Sequence, residues 1–258
     1  KKLLFSDHIL LESLNSETLT SAIEHLVNKH QLLGEKATLI LPESRYQLLM
    51  TDKLPVSEEE MTNAVRWKMK GLLDFPLNES TLDTFSVPAH GTGGKRNTVF
   101  VTACSKKFIQ RCVDAFSKAL LPLVSIEISL LALKNLMGKQ FSKDKTQLYI
   151  TLFEQKYSFI IINKHQIYLV RTPKTSNFNL DNVSDETLFE KILLEIQRST
   201  DYCLSELKIP APTDIIFSPQ FLTKTALLVY LRKHLSRTVT CLDLNNIVTS
   251  EKEIAFSR

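Results

Sequence analysis

The chain has 258 residues, which is long enough to bury the core of one large domain or of two lobes. Its 43% hydrophobic and 23% charged residues are typical of a globular protein and exclude a disordered chain or a simple fibre. The net charge is only +4, and basic residues occur singly or in pairs such as Lys106-Lys107 without interleaved aromatics, so nucleic-acid binding is not expected.

Cysteine usage and hydropathy exclude further classes. The four cysteines stand alone in apolar surroundings, without a Cys-x-x-Cys pair or a histidine at metal-ligand spacing: Cys104, Cys112, Cys203 and Cys241. We expect core thiols in a reducing compartment, with neither disulfides nor a metal site. The most apolar stretch, residues 119–133, contains Pro122 and Glu127 and is shorter than the ~20 residues of a membrane-spanning helix.

The first part of the chain predicts short strands and helices. In chain order they are a strand over residues 3–11, a helix over 17–29, and strands over 37–41 and 46–50. Ser57 and Glu60 then form a capping box, in which each side chain satisfies a free amide at the start of a helix. This helix is predicted to continue to about residue 73.

The single tryptophan lies on this helix but away from its apolar stripe. Four apolar residues share that stripe at helical spacing: Met61, Val65, Met69 and Leu72. Trp67 points elsewhere, and Gly71, one turn later on the same face, predicts a shallow dent beside the ring. An aromatic side chain beside a dent is enriched at interfaces. The alternative is that Trp67 packs against the strands of its own subdomain.

The helix is expected to end at Asp74-Phe75-Pro76, because the residue before a proline avoids the α region. Phe75 and Pro76 either contact a partner or only end the helix, and the sequence leaves both open. The candidate partner-binding residues are therefore Trp67, Gly71, Phe75 and Pro76.

A glycine-rich loop over residues 90–96 contains half of the six glycines of the chain. Strands are predicted on both sides of it, over residues 81–87 and 98–104. A phosphate-binding loop needs a helix directly after the glycines, so this loop is interpreted as a hairpin tip. A helix over 105–121, a strand over 123–126 and a short helix to residue 137 are predicted next.

The second half of the chain changes its pattern. Three strands come first, over residues 147–153, 157–163 and 166–171, and His165 is interpreted as a turn residue between the last two. A long helix to residue 207, a strand over 214–217, a helix over 220–235 and a strand over 238–242 follow. The order β-β-β-α-β-α-β is that of a ribonuclease-H-like unit.

Three pairs of segments resemble the MshI and PilM family of type IV pilus assembly proteins. They are residues 39–42 with 46–49, 65–68 with 72–76, and 194–199 with 201–202. The resemblance implies an α/β, actin-like (ribonuclease-H-like) fold with two lobes, over residues 1–145 and 146–258, and an inserted subdomain at about 43–104. It also implies about two strands before Lys1 in the natural protein.

The resemblance further implies a role in binding. Such proteins lie on the cytoplasmic face of the inner membrane and bind the cytoplasmic tail of a PilN-like membrane partner, here in an MSHA-like pilus. The platform of type II secretion is a related machine that fits the same fold. A non-enzymatic scaffold is the first hypothesis, and an ATP-binding actin-like protein completed by residues before Lys1 is the second.

The nucleotide loops that the resemblance implies depart from the family pattern. Residues 152–157 contain no glycine, Thr151 stands where an acid is expected, and Glu154 would repel phosphate. The adenosine loop reads Phe217-Ser218-Pro219-Gln220 in place of a glycine pair. We therefore expect no catalytic residues, no cofactor and no bound metal.

Overall fold

The structure is a computed structural model that describes residues 2–87, 98–137, 145–153, 156–173, 186–219, 225–244, 247 and 249–250. The α-helices among these residues are α1 (Ser16–His30), α2 (Glu58–Arg66), α3 (Lys106–Lys118), α4 (Ser129–Met137), α5 (Glu186–Tyr202) and α6 (Thr225–His234). None of these helices is long and apolar enough to cross a membrane. The glycine-rich loop over residues 90–96 lies outside the described residues.

The strands of the described residues form four sheets. They are β1 (Lys2–Leu3), β2 (Ala37–Leu41), β3 (Tyr46–Asp52), β4 (Ser80–Ser86), β5 (Thr98–Ser105), β6 (Leu123–Ile128), β7 (Thr146–Phe153), β8 (Lys156–Asn163), β9 (Gln166–Arg171), β10 (Asp214–Phe217), β11 (Thr238–Cys241) and β12 (Thr249–Ser250). The chain divides into two compact units, which are described separately. The first, here the N-terminal unit, comprises Ser6–Ser86 and Thr98–Asn135, and the second, the C-terminal unit, comprises the rest.

The C-terminal unit contains a five-stranded sheet in the order β11-β10-β7-β8-β9. β7, β8 and β9 are antiparallel to one another, whereas β10 is parallel to both β7 and β11. α5 packs on β8 and on α6, and α6 packs beside β11. Consecutive residues of β7 and β8 are buried, so both faces of the sheet are covered. The ribonuclease-H-like order predicted for this half of the chain is confirmed.

The turn between β8 and β9 has the backbone that its sequence position predicts. Lys164 and His165 both have positive φ angles, 47° and 62°. Two consecutive residues with positive φ match the right-handed twist of the strands in a two-residue hairpin. His165 is therefore a turn residue, as predicted.

The N-terminal unit contains two sheets. β2 and β6 form a parallel pair, and α1 packs against α3. β3, β5 and β4 form an antiparallel sheet in that order, and α2 packs against β4. This second sheet, with α2 and the segment that follows it, is called the insert below because it lies between β2 and α3 in the chain.

The insert has its own apolar core. Its buried residues come from α2 and the turn after it, from β4 and from β5: Met61, Val65, Met69, Leu82, Val99, Val101 and Ala103. Leu49, Leu54, Leu73, Phe75 and Leu77 are half-buried and pack around it. The capping box at Ser57 and Glu60 is confirmed, since Ser57 Oγ accepts from the Glu60 amide at 3.3 Å and Glu60 Oε2 accepts from the Ser57 amide at 3.4 Å.

The strand predicted over residues 3–11 is wrong beyond its start. β1 is only Lys2–Leu3, and it pairs in parallel with β12 of the C-terminal unit. The following residues join no sheet, and Leu10 exposes 93% of its surface. Asp7 is held instead by the end of α1, with its carboxylate 2.7 Å from His30 Nε2 and 2.8 Å from Lys29 Nζ. Hydrogen bonds from Lys29 and His30 hold the pKa of Asp7 well below its usual value.

The packing of the core of the insert predicts that two neighbouring substitutions on α2 differ strongly in their effect on stability. Met61→Ala empties a fully buried position and is expected to lower the free energy of unfolding by about 2–5 kcal/mol. Asn63→Ala, on the exposed side of the same helix, is the matched control and is expected to change it by less than about 0.5 kcal/mol. Urea denaturation measures both. Equal effects of the two substitutions would contradict the described packing of α2.

Candidate functional site

An open groove lies on the surface of the insert, between the end of α2 and the segment before β4. Its volume is ≈ 690 Å³. The residues that line it are Arg66, Trp67, Met69, Lys70, Gly71, Leu73, Asp74, Phe75, Pro76, Leu77 and Asn78. The structure therefore brings the four predicted site residues, Trp67, Gly71, Phe75 and Pro76, to one surface feature.

α2 ends earlier than its sequence predicts. The α-helix stops at Arg66, and a single 3₁₀ turn, Trp67–Met69, follows it. The predicted end near residue 73 is therefore wrong. Met61, Val65 and Met69 are buried as the stripe predicts, but Leu72 exposes 56% of its surface because the chain has already left the helix.

The helix ends in a type II β-turn that places glycine where glycine is needed. Lys70 has φ −60° and ψ 123°, Gly71 has φ +79°, and the Leu72 amide donates to the Met69 carbonyl at 3.0 Å. Position i+2 of a type II turn requires a positive φ, which a side chain disfavours by about 1 kcal/mol or more. Gly71 thus reverses the chain and directs the following residues back along the groove.

Trp67 faces solvent at the rim of the groove. Its side chain exposes 76% of its surface, so the alternative that it packs against the strands of the insert is wrong. Phe75 is half-buried against the core of the insert, whereas Pro76 is exposed. The groove therefore combines an exposed aromatic rim with an apolar floor.

Two polar side chains that the sequence did not reveal as site residues hold the far wall of the groove. The Gln47 amide donates from Nε2 to Asp74 Oδ2 at 2.5 Å and accepts from the Asp74 main-chain amide at 2.9 Å. Arg66 donates to the carbonyl oxygen of Leu77 at 2.8 Å and to that of Ser80 at 3.4 Å. Both ends of the wall are thereby attached to the body of the insert.

The alternation of side chains along β3 gives one weak indication of the contact between Gln47 and Asp74. Side chains two apart in a strand point to the same face, so Gln47 shares a face with Leu49, which packs on the core. A polar residue on the core-facing side of a strand needs a hydrogen-bonding partner. The identity of that partner, 27 residues away in the chain, cannot be read from local pattern.

The groove lining carries one net positive charge, from two bases, Arg66 and Lys70, and one acid, Asp74. Asp74 is hydrogen-bonded by the Gln47 amide and Arg66 by carbonyl oxygens, and these neutral partners do not cancel either charge. Lys70 lines the groove and forms no ion pair with any residue that the structure describes. Such a rim favours a partner whose apolar side chains are accompanied by acceptors or acids.

The adenosine loop implied by the resemblance lies after β10. The Ser218 amide donates to the Ile150 carbonyl at 2.8 Å, and Pro219 has no amide to donate. Ser218 is buried, and its side chain is hydrogen-bonded to the Tyr149 hydroxyl, whose pKa is raised by burial. The main-chain donors of residues 218 and 219 are therefore not free for a ligand.

The phosphate loop implied by the resemblance falls between β7 and β8. β7 ends at Phe153 and β8 begins at Lys156, and these two residues are paired across the hairpin. Residues 154–155, which connect them and include the acid predicted to repel phosphate, lie outside the described residues. That this loop repels phosphate therefore stays a prediction from its sequence.

The described residues offer no metal site and no activated thiol. No cluster of His, Cys, Asp and Glu among them could hold a metal ion. All four cysteines are free, and burial raises the pKa of Cys104 and Cys241 to about 11 and that of Cys203 to about 12. A thiol with a raised pKa is a weak nucleophile at neutral pH, and these cysteines are structural.

Comparison with solved structures defines the fold. A chain of the PilM-PilN type IV pilus biogenesis complex matches with a TM-score of 0.67 and 18% identity, over 96% of this chain and 81% of that chain. A Bacteroides thetaiotaomicron VPI-5482 protein with an actin-like ATPase fold and unknown function matches with a TM-score of 0.51 and 10% identity, over 89% of this chain and 77% of that chain. The chain therefore has an actin-like α/β fold, as predicted. No protein-family model and no curated protein matches it.

The attachment of the groove wall can be tested away from the groove surface. Gln47→Met removes both hydrogen bonds to Asp74 and is expected to accelerate hydrogen exchange of the Asp74 amide roughly thirtyfold, since two bonds of about 1 kcal/mol each are lost. Gln110→Met is the matched control, because Gln110 bonds an exposed neighbour on its own helix, Asp114. Unchanged exchange at Asp74 in Gln47→Met would show that the wall does not depend on this contact.

Proposed function

We propose that this protein is a non-enzymatic scaffold of a type IV pilus platform, of the MSHA-like kind. It acts at the cytoplasmic face of the inner membrane and binds the cytoplasmic tail of a PilN-like membrane partner. The observation that carries the proposal is that Trp67, Gly71, Phe75 and Pro76 line one open groove, with the Trp67 ring exposed at its rim.

The likeness to a chain of the PilM-PilN complex supports the kind of partner. It extends over 96% of the chain, so it includes the insert as well as the actin-like framework. The solved relative is a pilus biogenesis complex of two proteins, and a protein of the same fold is suited to the same kind of pairing. The two lobes, residues 1–145 and 146–258, are proposed on the same ground.

The geometry of the groove supports a short peptide as the ligand. Its apolar floor and the rim at Trp67 provide an anchor for apolar side chains, and aromatic anchors carry much of the binding energy at interfaces. The far wall is held at Asp74 and Leu77, so little ordering of the protein is required on binding. A preformed groove lowers the entropic cost of association.

A non-enzymatic role is supported by the main chain after β10. An adenosine site requires close approach of the ligand to the backbone, whereas the Ser218 amide is bonded within the sheet and Pro219 lacks an amide. In this proposal the protein is held near the membrane by its partner.

The partner proposal is tested by titrating a synthetic peptide of the PilN-like tail into the protein in a calorimeter. Saturable binding is expected, and Trp67→Ala is expected to weaken it by at least about tenfold, because the exposed ring supplies the main anchor. Leu120→Ala removes a comparably exposed apolar side chain outside the groove and is expected to leave the affinity unchanged. A flat titration up to about 1 mM peptide would refute the proposed partner.

The proposal also predicts that labelled ATP with magnesium shows no saturable binding up to about 1 mM, since the donors after β10 are occupied. Fluorescence anisotropy measures this directly, with a known ATP-binding protein as the positive control. Saturable binding that is weakened by Lys156→Ala, at the start of β8, would instead favour an ATP-binding actin-like protein.

A further inference from the structure

The turn that ends α2 carries a cluster of exposed basic and apolar side chains. Trp67 and Leu72 are the exposed apolar members, and Lys68 and Lys70 are exposed between them. Residues 66–72 contain three bases and no acid. These residues are called the basic tip below.

The lysines of the basic tip keep their charge unneutralised. No carboxylate of the described part of the chain lies within ion-pair distance of Lys68 or Lys70. Lys68 Nζ donates to the main-chain oxygen of Asp52 at 3.3 Å, and this acceptor is neutral. In the same insert, Lys53 is paired with Glu58. The positive charge of the tip is thus available to an external anion.

The backbone brings an aromatic ring and an ammonium group to the same side. The Lys70 amide donates to the Trp67 carbonyl at 3.3 Å, which closes a 3₁₀ turn. Side chains three residues apart in such a turn eclipse each other. Gly71 then reverses the chain, and Leu72 is exposed directly after the reversal.

A peptide in the groove does not account for the whole cluster. The groove is lined by Trp67, Lys70 and Gly71, but neither Lys68 nor Leu72 lines it. A ligand that contacts all four exposed side chains must extend beyond the rim of the groove, and it must present a broad surface rather than a single chain. A bilayer with anionic headgroups is such a surface.

We propose that the basic tip contacts an anionic lipid bilayer directly. Tryptophan is enriched where a protein meets the membrane–water interface, and exposed leucine enters the acyl boundary beside it. Lysines at that level attract negatively charged headgroups. Trp67 and Leu72 supply the apolar contacts, and Lys68 and Lys70 supply the charge.

This inference goes beyond the proposed function, in which the partner's tail alone holds the protein at the membrane. It requires no peptide, so it does not depend on that function. The two are compatible, because a tail that emerges from the bilayer would meet a groove placed next to the lipid surface. The contact is reversible, since it consists of a few side chains rather than a spanning or acylated anchor.

The single tryptophan of the chain makes the test direct. The whole chain is mixed with vesicles of about one-third phosphatidylglycerol in phosphatidylcholine, and with vesicles of phosphatidylcholine alone, at low ionic strength. With the anionic vesicles we expect a blue shift of Trp67 fluorescence and co-sedimentation of the protein. Both are expected to be reversed by about 0.5 M salt, which screens exposed charges.

Variants then locate the contact on the protein. Lys68→Ala and Lys70→Ala are each expected to lower the vesicle partition coefficient about fivefold. Leu72→Ala is expected to lower it as well and to reduce the blue shift. The matched control is Lys106→Ala with Lys107→Ala, a pair of exposed lysines at the start of α3, which should leave the partition coefficient unchanged.

Two results would overturn the inference. One is the absence of both blue shift and co-sedimentation with anionic vesicles at low salt. The other is equal vesicle binding by the tip variants and the control pair, which would place any lipid contact on another surface. Binding of the tail peptide is measured without lipid, so the two experiments are independent. Peptide binding without vesicle binding would refute only this inference. Vesicle binding without peptide binding would refute only the proposed function.

Discussion

The packing of Met61, Val65 and Met69 onto the three-stranded sheet is the constraint on which the site depends. Burying three such side chains contributes about 1.5–3 kcal/mol each, which outweighs the cost of leaving one aromatic ring in water. Residues four apart on a helix share a face, so their burial fixes the rotation of α2. Met69 is buried with them in the 3₁₀ turn directly after α2, and in that same turn Trp67 is exposed to solvent.

A second constraint comes from the main chain after α2. Gly71 reverses the chain in a type II turn, and the returning segment is attached by Gln47 at Asp74 and by Arg66 at Leu77. The groove is therefore formed by the backbone and by polar contacts, and Trp67 and Lys70 at its rim remain exposed to a ligand. A rigid groove of this kind loses little entropy on binding, so even a short peptide can be held.

Local rules predicted the parts of the structure that depend on neighbours in sequence. The capping box at Ser57, the turn at His165 and the order of the second half follow from spacing and period alone. The end of α2 does not follow from Pro76, the local stop signal in the sequence, because the 3₁₀ turn and the reversal at Gly71 end the helix before the proline is reached. Contacts between distant residues, such as that of Asp7 with the end of α1, decide the course of residues 3–11 and leave no local pattern. The partner-binding role of the groove residues stays a prediction.

The actin-like framework raises the question of where a signal could enter this molecule. A ligand shifts a conformational equilibrium only through contacts that differ between the states, and a nucleotide makes those contacts largely with bare main chain. After β10 the Ser218 amide belongs to the sheet and Pro219 offers none. The insert, in contrast, presents an open groove and unneutralised lysines. Under the proposed function, the input to this protein is therefore a peptide at a membrane surface, and the framework serves to hold the insert in place.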